Sequence, residues 1–302
     1  MNSPLLYSAT VTQSKTKKQP VCLWFNKIKP AAWLVPFAVV FYLFQLAPML
    51  WVLVNSFIYD EAFGLDNYLE VLDSAFMMQA FGNSLWLSIW SSFIGLAIAA
   101  LLVSSLRKVS GRLRDAVIAF TNMSSNFAGV PLSFAFIIIL GTNGAVTLLL
   151  KQYGLLGDFD LYGEWGLLAI YIYFQIPLAV LLLYPAFDAL SDDWQSAASL
   201  LGANTFQYWC RVALPVLSPA LLGTFIILVA NAMGAYASVY ALTSGNYNLI
   251  TIRIASLVSG DLFLEPNLAA AISVILMGIL AFITVINQWL ISKSYAAHKG
   301  SK

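Results

Sequence analysis

Charge is what this sequence has least of. Asp, Glu, Lys and Arg together supply 10% of its 302 residues, while hydrophobic residues supply 60% and mean hydropathy is +0.81. A water-soluble domain carries about a quarter charged residues. A soluble fold of this length cannot cover so much apolar surface, so lipid is the solvent for much of the chain. The net charge of +1 excludes nucleic acid as a main partner, because phosphate binding needs a concentrated basic face. His298 is the single histidine, which excludes a paired-histidine metalloprotease site such as H-E-x-x-H. The two cysteines, Cys22 and Cys210, have no metal-ligand spacing to it, and no metal or cofactor is expected. Both fall in segments assigned below to the cytoplasm, where disulfides are rare. A Gly-Lys dipeptide is absent, so there is no Walker A loop. The chain is therefore expected to be no enzyme, and any ATPase that drives it must be a separate chain.

The apolar residues are gathered into long runs. A helix needs about 20 apolar residues to cross the hydrocarbon core. Six stretches qualify: 31–57, 81–106, 117–140, 165–187, 216–242 and 268–291. All Asp, Glu, Lys and Arg fall outside them, as expected when a mid-membrane charge costs about 3 kcal/mol. The first run follows a polar segment over 1–30 with Lys15, Lys17, Lys18, Lys27 and Lys29. It is longer than a signal-peptide core and reads as a retained span. Of the fifteen Lys and Arg, only Lys151 and Arg253 fall on the side opposite the N-terminal segment. The positive-inside rule then puts both termini, including the tail over 294–302, in the cytoplasm. Outer loops keep acids such as Asp60, Glu70, Asp160 and Glu265, which is what remains when lysine and arginine are held inside. The fold class is thus an all-α membrane protein of six transmembrane helices.

Ion-driven carriers and pumps usually place ionisable residues inside the bundle. None is found in these spans, which excludes a proton relay. Sodium coupling through backbone carbonyls stays open, as a secondary transporter acting alone. The polar residues inside the spans are uncharged. Asn122, Ser125, Asn126 and Gly129 fall at helical spacing in the third run, followed by Pro131, which would disturb the helix there. Asn231, Gly234 and Ser238 share another face in the fifth, near Tyr236 and Tyr240. Small and amide residues of this kind either pack helix on helix or line a weakly polar pathway. Asn122, Ser125, Asn126, Asn231, Gly234 and Ser238 are the candidates for the second role.

The connection over 188–215 is much longer than an ordinary turn between neighbouring helices. Ser191 is a good N-cap, with Asp192 and Asp193 in the first turn where the helix dipole favours acids. Ala197 and Ala198 favour helix, and Gly202 can take the left-handed conformation that ends one. A second short helix follows through Phe206 to Val212, and Pro215 opens the next span. Helix, glycine turn, helix on the cytoplasmic face reads as a docking element.

That stretch carries a resemblance. Ser196-Ala197-Ala198, three residues, Gly202, nine residues, Val212-Ala213-Leu214-Pro215 resembles the EAA loop of ABC importer permeases. The family pattern is Glu-Ala-Ala, three residues, Gly, nine residues, Ile, one residue, Leu-Pro. Val212 stands for the isoleucine, and Ser196 departs from the glutamate. Asn83-Ser84-Leu85, Gln175-Ile176-Pro177 and Pro185 to Leu190 are similar to other parts of the family's core, so the resemblance covers 79–293. It is nearest to the type I branch importing spermidine and putrescine, iron, thiamine and phosphonates. The resemblance implies a bacterial inner-membrane permease subunit with no ATPase site of its own. It implies as partners a cytoplasmic ABC ATPase dimer, a second and different permease chain, an extracytoplasmic solute-binding protein and the lipid bilayer. Ser196, Ala197, Ala198, Gly202, Val212, Leu214 and Pro215 would form the ATPase-coupling loop, and the solute would be a polyamine or similar small molecule. The segment from Ser244 to Asp261 would be an outer docking surface.

Overall fold

The computed structural model describes residues 34–109, 111–154, 160–259 and 264–299, with side chains through 289. Among them, six helices are long and apolar enough to cross a membrane. The chain divides into two units, one ending at Trp51 and the other beginning at Val52.

The first unit is built on one helix made of α1 (Val35–Phe41), a π-helical turn over Tyr42–Leu46, and the start of α2 (Ala47–Asn55). It is apolar on every side and none of its residues is buried, the pattern of a helix whose solvent is lipid. The π turn ends two residues before Pro48. Proline lacks an N–H and crowds the carbonyl four residues back, so the preceding turn widens.

The second unit opens with a two-stranded hairpin, β1 (Ile58–Tyr59) and β2 (Ala62–Phe63), turned by Asp60 and Glu61 at positive φ. Two consecutive residues at positive φ make the turn whose twist suits a hairpin. Then come α3 (Asp66–Asp73), α4 (Ala75–Leu106), α5 (Arg112–Ser125), α6 (Val130–Leu140) and α7 (Ala145–Gln152). They are followed by α8 (Glu164–Asp188), α9 (Asp192–Leu200), α10 (Thr205–Tyr208), a π turn over Trp209–Ala213, and α11 (Leu214–Met233). Last are α12 (Ala237–Thr243), α13 (Ile250–Ser259) and α14 (Pro266–Lys299). The second π turn also ends two residues before a proline, Pro215.

The centre of the unit is the pair α4 and α8. The buried stripe of α4 is rich in small residues: Ala80, Ser84, Ser88, Ser91, Ser92, Gly95 and Ala99. Small residues let two backbones approach closely, which replaces the hydrophobic drive that lipid removes. At Gly95 the approach is closest: a methyl group there would lie 2.9 Å from Cβ of Gln175. Around this pair, one core joins α4, α8 and α11 through Ala99, Val103, Leu183, Phe187, Leu217 and Leu228. A second joins α4, α6, α8 and α12, and a third packs α3 and α4 on α13 and α14.

Two expected spans come out differently. The third, over 117–140, is broken: α5 ends at Ser125, Gly129 sits at φ +75 as the N-cap of α6, and the spanning stretch is Val130–Gln152. Pro131 starts α6 rather than disturbing a longer helix, because the missing proline N–H is harmless in a first turn. The fifth, over 216–242, starts earlier, at Thr205, and ends at Met233. The short helix expected through Phe206 to Val212 is therefore the beginning of that span and not a separate element.

Candidate functional site

The loop between α8 and α11 is ordered by local chemistry. The Ser191 hydroxyl accepts from the Asp193 N–H, and Asp192 and Asp193 occupy the first turn of α9. At the other end Gly202, φ +81, lets the N–H of Ala203 reach the carbonyl of Ala198 while its own N–H reaches Ser199. This is the Schellman pattern, which satisfies carbonyls the helix would otherwise leave open. Asn204 and Gln207 then exchange side-chain-to-backbone hydrogen bonds of 2.8 and 2.9 Å in a capping box that starts α10.

What this loop displays is apolar. No residue of α9 is buried. Leu200, the last residue of α9, and Leu201, its C-cap, are 89% and 88% exposed, and Phe206 is 76% exposed. In sequence they are flanked by Asp192, Asp193, Asn204 and Arg211. Sequence reasoning passed over all three, because leucines in a helical pattern read as core. Of the expected loop residues, Ser196 and Ala197 are exposed, Ala198 is partly buried, and the Ser196 hydroxyl donates back to the Asp192 carbonyl. Val212 packs against the core and Pro215 is half-buried, while Leu214 is exposed. Val212 and Pro215 therefore root the loop, while Leu214 is exposed at the start of α11.

Two arginines fasten the start of the loop. Arg107, which caps α4, donates to the Leu190 carbonyl at 2.5 Å and to Asp192 at 3.0 Å. Arg114, in the first turn of α5, donates to the Tyr184 hydroxyl and to Asp188 at 2.8 Å. The hydrogen bond to Tyr184, assisted by Asp188, holds this guanidinium above its ordinary value. In the sequence these arginines spoke only for topology.

The second feature is where two broken helices meet. The interruption at Asn126–Gly129 lies beside the one at Gly234–Tyr236, where a Cβ added to Gly129 would lie 3.8 Å from that of Ala237. The buried Ser133 hydroxyl donates to the Ser238 carbonyl at 2.7 Å, and the Tyr171 hydroxyl donates to the Ala235 carbonyl at 3.2 Å. Backbone groups freed from a helix in a membrane need such partners. A partly open cavity of about 390 Å³ results, lined by Gly129, Phe174, Asn231, Gly234, Tyr236 and Ser238 among others. Asn231, Gly234 and Ser238 thus converge on one space, though on two elements and not on one helical face. Asn122, Ser125 and Asn126 do not line it. Asn126 caps the end of α5, and the side chains of Ser125 and Asn126 both donate to the Asn122 carbonyl.

Behind the cavity sits Gln175, fully buried and overlooked in the sequence as a site residue. Its amide donates to Ser92 of α4 at 2.9 Å and to the Leu228 carbonyl of α11 at 2.7 Å. Its oxygen accepts from Asn231 at 3.2 Å. A lone amide in an uncharged run was the available signal, since burial obliges it to find partners.

At the far end of α4, Asn83 donates to the Asn248 carbonyl and Ser84 accepts from the Ile250 N–H, each at 3.0 Å. Asn248 also bonds Phe76, Gln79 and Arg253. The segment from Ser244 is thereby pinned to α4, and its end at Asp261 lies outside the described residues. Another cavity, about 520 Å³, opens between the hairpin and the start of α14, beside Asp60, Glu70 and Glu265. Among the described residues no His, Cys, Asp or Glu group is close enough to hold a metal.

Known proteins share both sequence and fold. The family described as "Binding-protein-dependent transport system inner membrane component" matches residues 33–293. A putative ferric transport system permease protein of Haemophilus influenzae, FbpB 1, is 24% identical over 86% of this chain, which spans about two fifths (41%) of that relative's length. The sn-glycerol-3-phosphate permease UgpA of Agrobacterium fabrum is 25% identical over 89% of this chain and 96% of its own. The spermidine/putrescine permease PotB of H. influenzae is 26% identical over 70% of this chain and 76% of its own. The crystal structure of a bacterial ABC transporter that imports alginate contains a similar fold: TM-score 0.71, 19% identity, 89% of this chain and 96% of that one. With its six membrane-spanning helices, this chain belongs to the family of inner-membrane components of binding-protein-dependent transport systems, the permeases of ABC importers.

Proposed function

We propose that this chain is the permease subunit of an ATP-driven importer, and that its exposed loop takes the force of a separate cytoplasmic ATPase. The observation that carries this is the α9 turn: a well-capped helix with no buried residue, ending in Leu200 and Leu201, both almost fully exposed in a stretch flanked by charged residues in the sequence. Two leucines left bare there raise the free energy of the isolated chain, by about 2 kcal/mol each relative to burial. A groove on a partner removes that penalty. Ser196, Ala197, Ala198 and Gly202 form the coupling element, small enough for close backbone approach. Both termini and this loop lie on the cytoplasmic face, by the distribution of lysine and arginine.

The solute path runs through the cavity between the two helix interruptions, where Asn231, Gly234 and Ser238 offer weakly polar groups. The solute arrives from an extracytoplasmic binding protein, and a second, different permease chain completes the pathway. Relatives carry ferric, glycerol-3-phosphate and spermidine/putrescine names. The cavity lining holds no Lys or Arg to meet an anion, while it includes Phe174 and Tyr236, and aromatic rings attract cations. A small organic cation of the polyamine kind is the solute class this favours.

The test is purification of the chain from its host in mild detergent, alone and as Leu200→Ser/Leu201→Ser. An ATPase chain is expected with the unaltered protein and is expected to be lost from the variant. No ATPase with either, or equal amounts with both, would sink the reading. Uptake of labelled spermidine by vesicles holding the whole complex checks the solute class.

A further inference from the structure

The loop that carries α9 is attached in an uneven way. Its two stems enter the same core: Leu190 on one side, and Tyr208, Trp209 and Ala213 on the other, packed with Val103, Leu183 and Phe187. Between them no residue of α9 is fully buried, and Ala198 alone packs, partly buried, against that core. Its position is therefore decided mainly at its ends. At the α8 end the only charged partners among the described residues come from across the fold, from the close of α4 and the start of α5.

Those contacts form a pair. Arg107 holds the Leu190 carbonyl and Asp192, so one guanidinium spans the last residues before α9 and its first turn. Arg114 holds Tyr184 and Asp188, one turn apart on the closing segment of α8, with its guanidinium also 5.2 Å from the Tyr184 ring centre. Exposed ion pairs contribute little to stability, and Asp192 is 94% exposed. The arginine ends are better shielded, 17% and 30% exposed, and each also grips a neutral oxygen. A guanidinium fork that bonds two acceptors fixes direction as well as distance. The pair is thus suited to transmitting orientation rather than to adding stability.

We propose that Arg107 and Arg114 are positioning residues that lock the α4–α5 connection to the start of the coupling helix, so that movement of α9 is delivered to α4 and α5 as well as to α8 and α11. This rests on the permease reading above. It assigns α5, whose far end adjoins the broken segment at the cavity, a direct link from the loop. Pulling on α9 then reaches the cavity lining at Ala128 and Gly129 through α5 and at Asn231 and Gly234 through α11.

The experiment is a distance measurement on the full chain, with whatever ATPase accompanies it. Spin labels are placed at Leu113→Cys on α5 and Gln195→Cys on α9, in a Cys22→Ser/Cys210→Ser background. A single narrow distance is expected, the same without nucleotide and with ATP and vanadate. In Arg107→Gln/Arg114→Gln the distribution broadens without nucleotide and shifts on adding it. In parallel, the ratio of binding-protein-stimulated to unstimulated ATP hydrolysis falls about three- to tenfold in that variant. Exchanging the charges, Arg114→Asp with Asp188→Arg, restores about half of the lost ratio. The proposal is overturned if the distance changes with nucleotide in the unaltered arginine pair, or if the double variant leaves the distribution and the ratio as they were. If the double variant does not fold, Arg107→Gln and Arg114→Gln singly are read the same way. The distribution without nucleotide needs no ATPase, so failure of the permease reading leaves this measurement standing.

Discussion

The α9 loop and the middle of α8 handle polar groups in opposite solvents. The hydrogen bonds that shape the α9 turn are local, the Asp193 N–H to Ser191, the Gly202 N–H to Ser199 and Asn204 with Gln207, and only Arg107 reaches Asp192 from a distant element. Water can take any of them over, so the loop keeps its shape without a core and can turn leucines outward. Around Gln175 the bonds cross from α8 to α4 and α11. Lipid offers no replacement there, so each partner must come from another helix. A part that docks can be built from neighbours in sequence. A part that opens and closes a path must join elements far apart in the chain.

Three changes probe that contrast, in order of expected effect on stability. Gln175→Leu removes three cross-helix bonds. At the average of about 0.6 kcal/mol each in membranes, the loss is about 2 kcal/mol, read as a lower thermal midpoint in detergent. A neutral result would mean the neighbours repair the gap among themselves. Gly202→Ala should cost about 1–2 kcal/mol, and Gly202→Val more, because a β-branched side chain fits positive φ worst. Nothing lies within 4 Å of an added Cβ, so for alanine only the positive φ matters; an alanine variant as stable as the parent would show that the turn relaxes out of that conformation. Asn204→Ala removes the capping box and should cost about 1 kcal/mol. Hydrogen exchange of the amides over 205–208 should rise with it, while those near Gln175 stay protected.

Much of this was legible beforehand because it is local. The fourth span, expected over 165–187, is Glu164–Asp188, since an uncharged run bounded by acids has nowhere else to sit. Ser191 and Gly202 bound α9 as cap chemistry requires. Pro131 signals a disturbance in the third run, but the full break at Asn126–Gly129 is hidden because hydropathy averages over it. The hint was glycine followed two residues later by proline, the usual order at a helix start. The arginine contacts were not legible at all: Arg107 and Asp192 are 85 residues apart, and nothing in either neighbourhood names the other.

The sequence by itself determined the solvent, the number of spans and the capped turn that bears Leu200 and Leu201, because transfer from water to lipid and hydrogen bonds within a helical turn depend on residues close together. Only the tertiary structure decided that two interrupted helices share a cavity, that Gln175 joins three helices and that two arginines hold the loop. Each of these depends on side chains whose partners are brought near by packing alone.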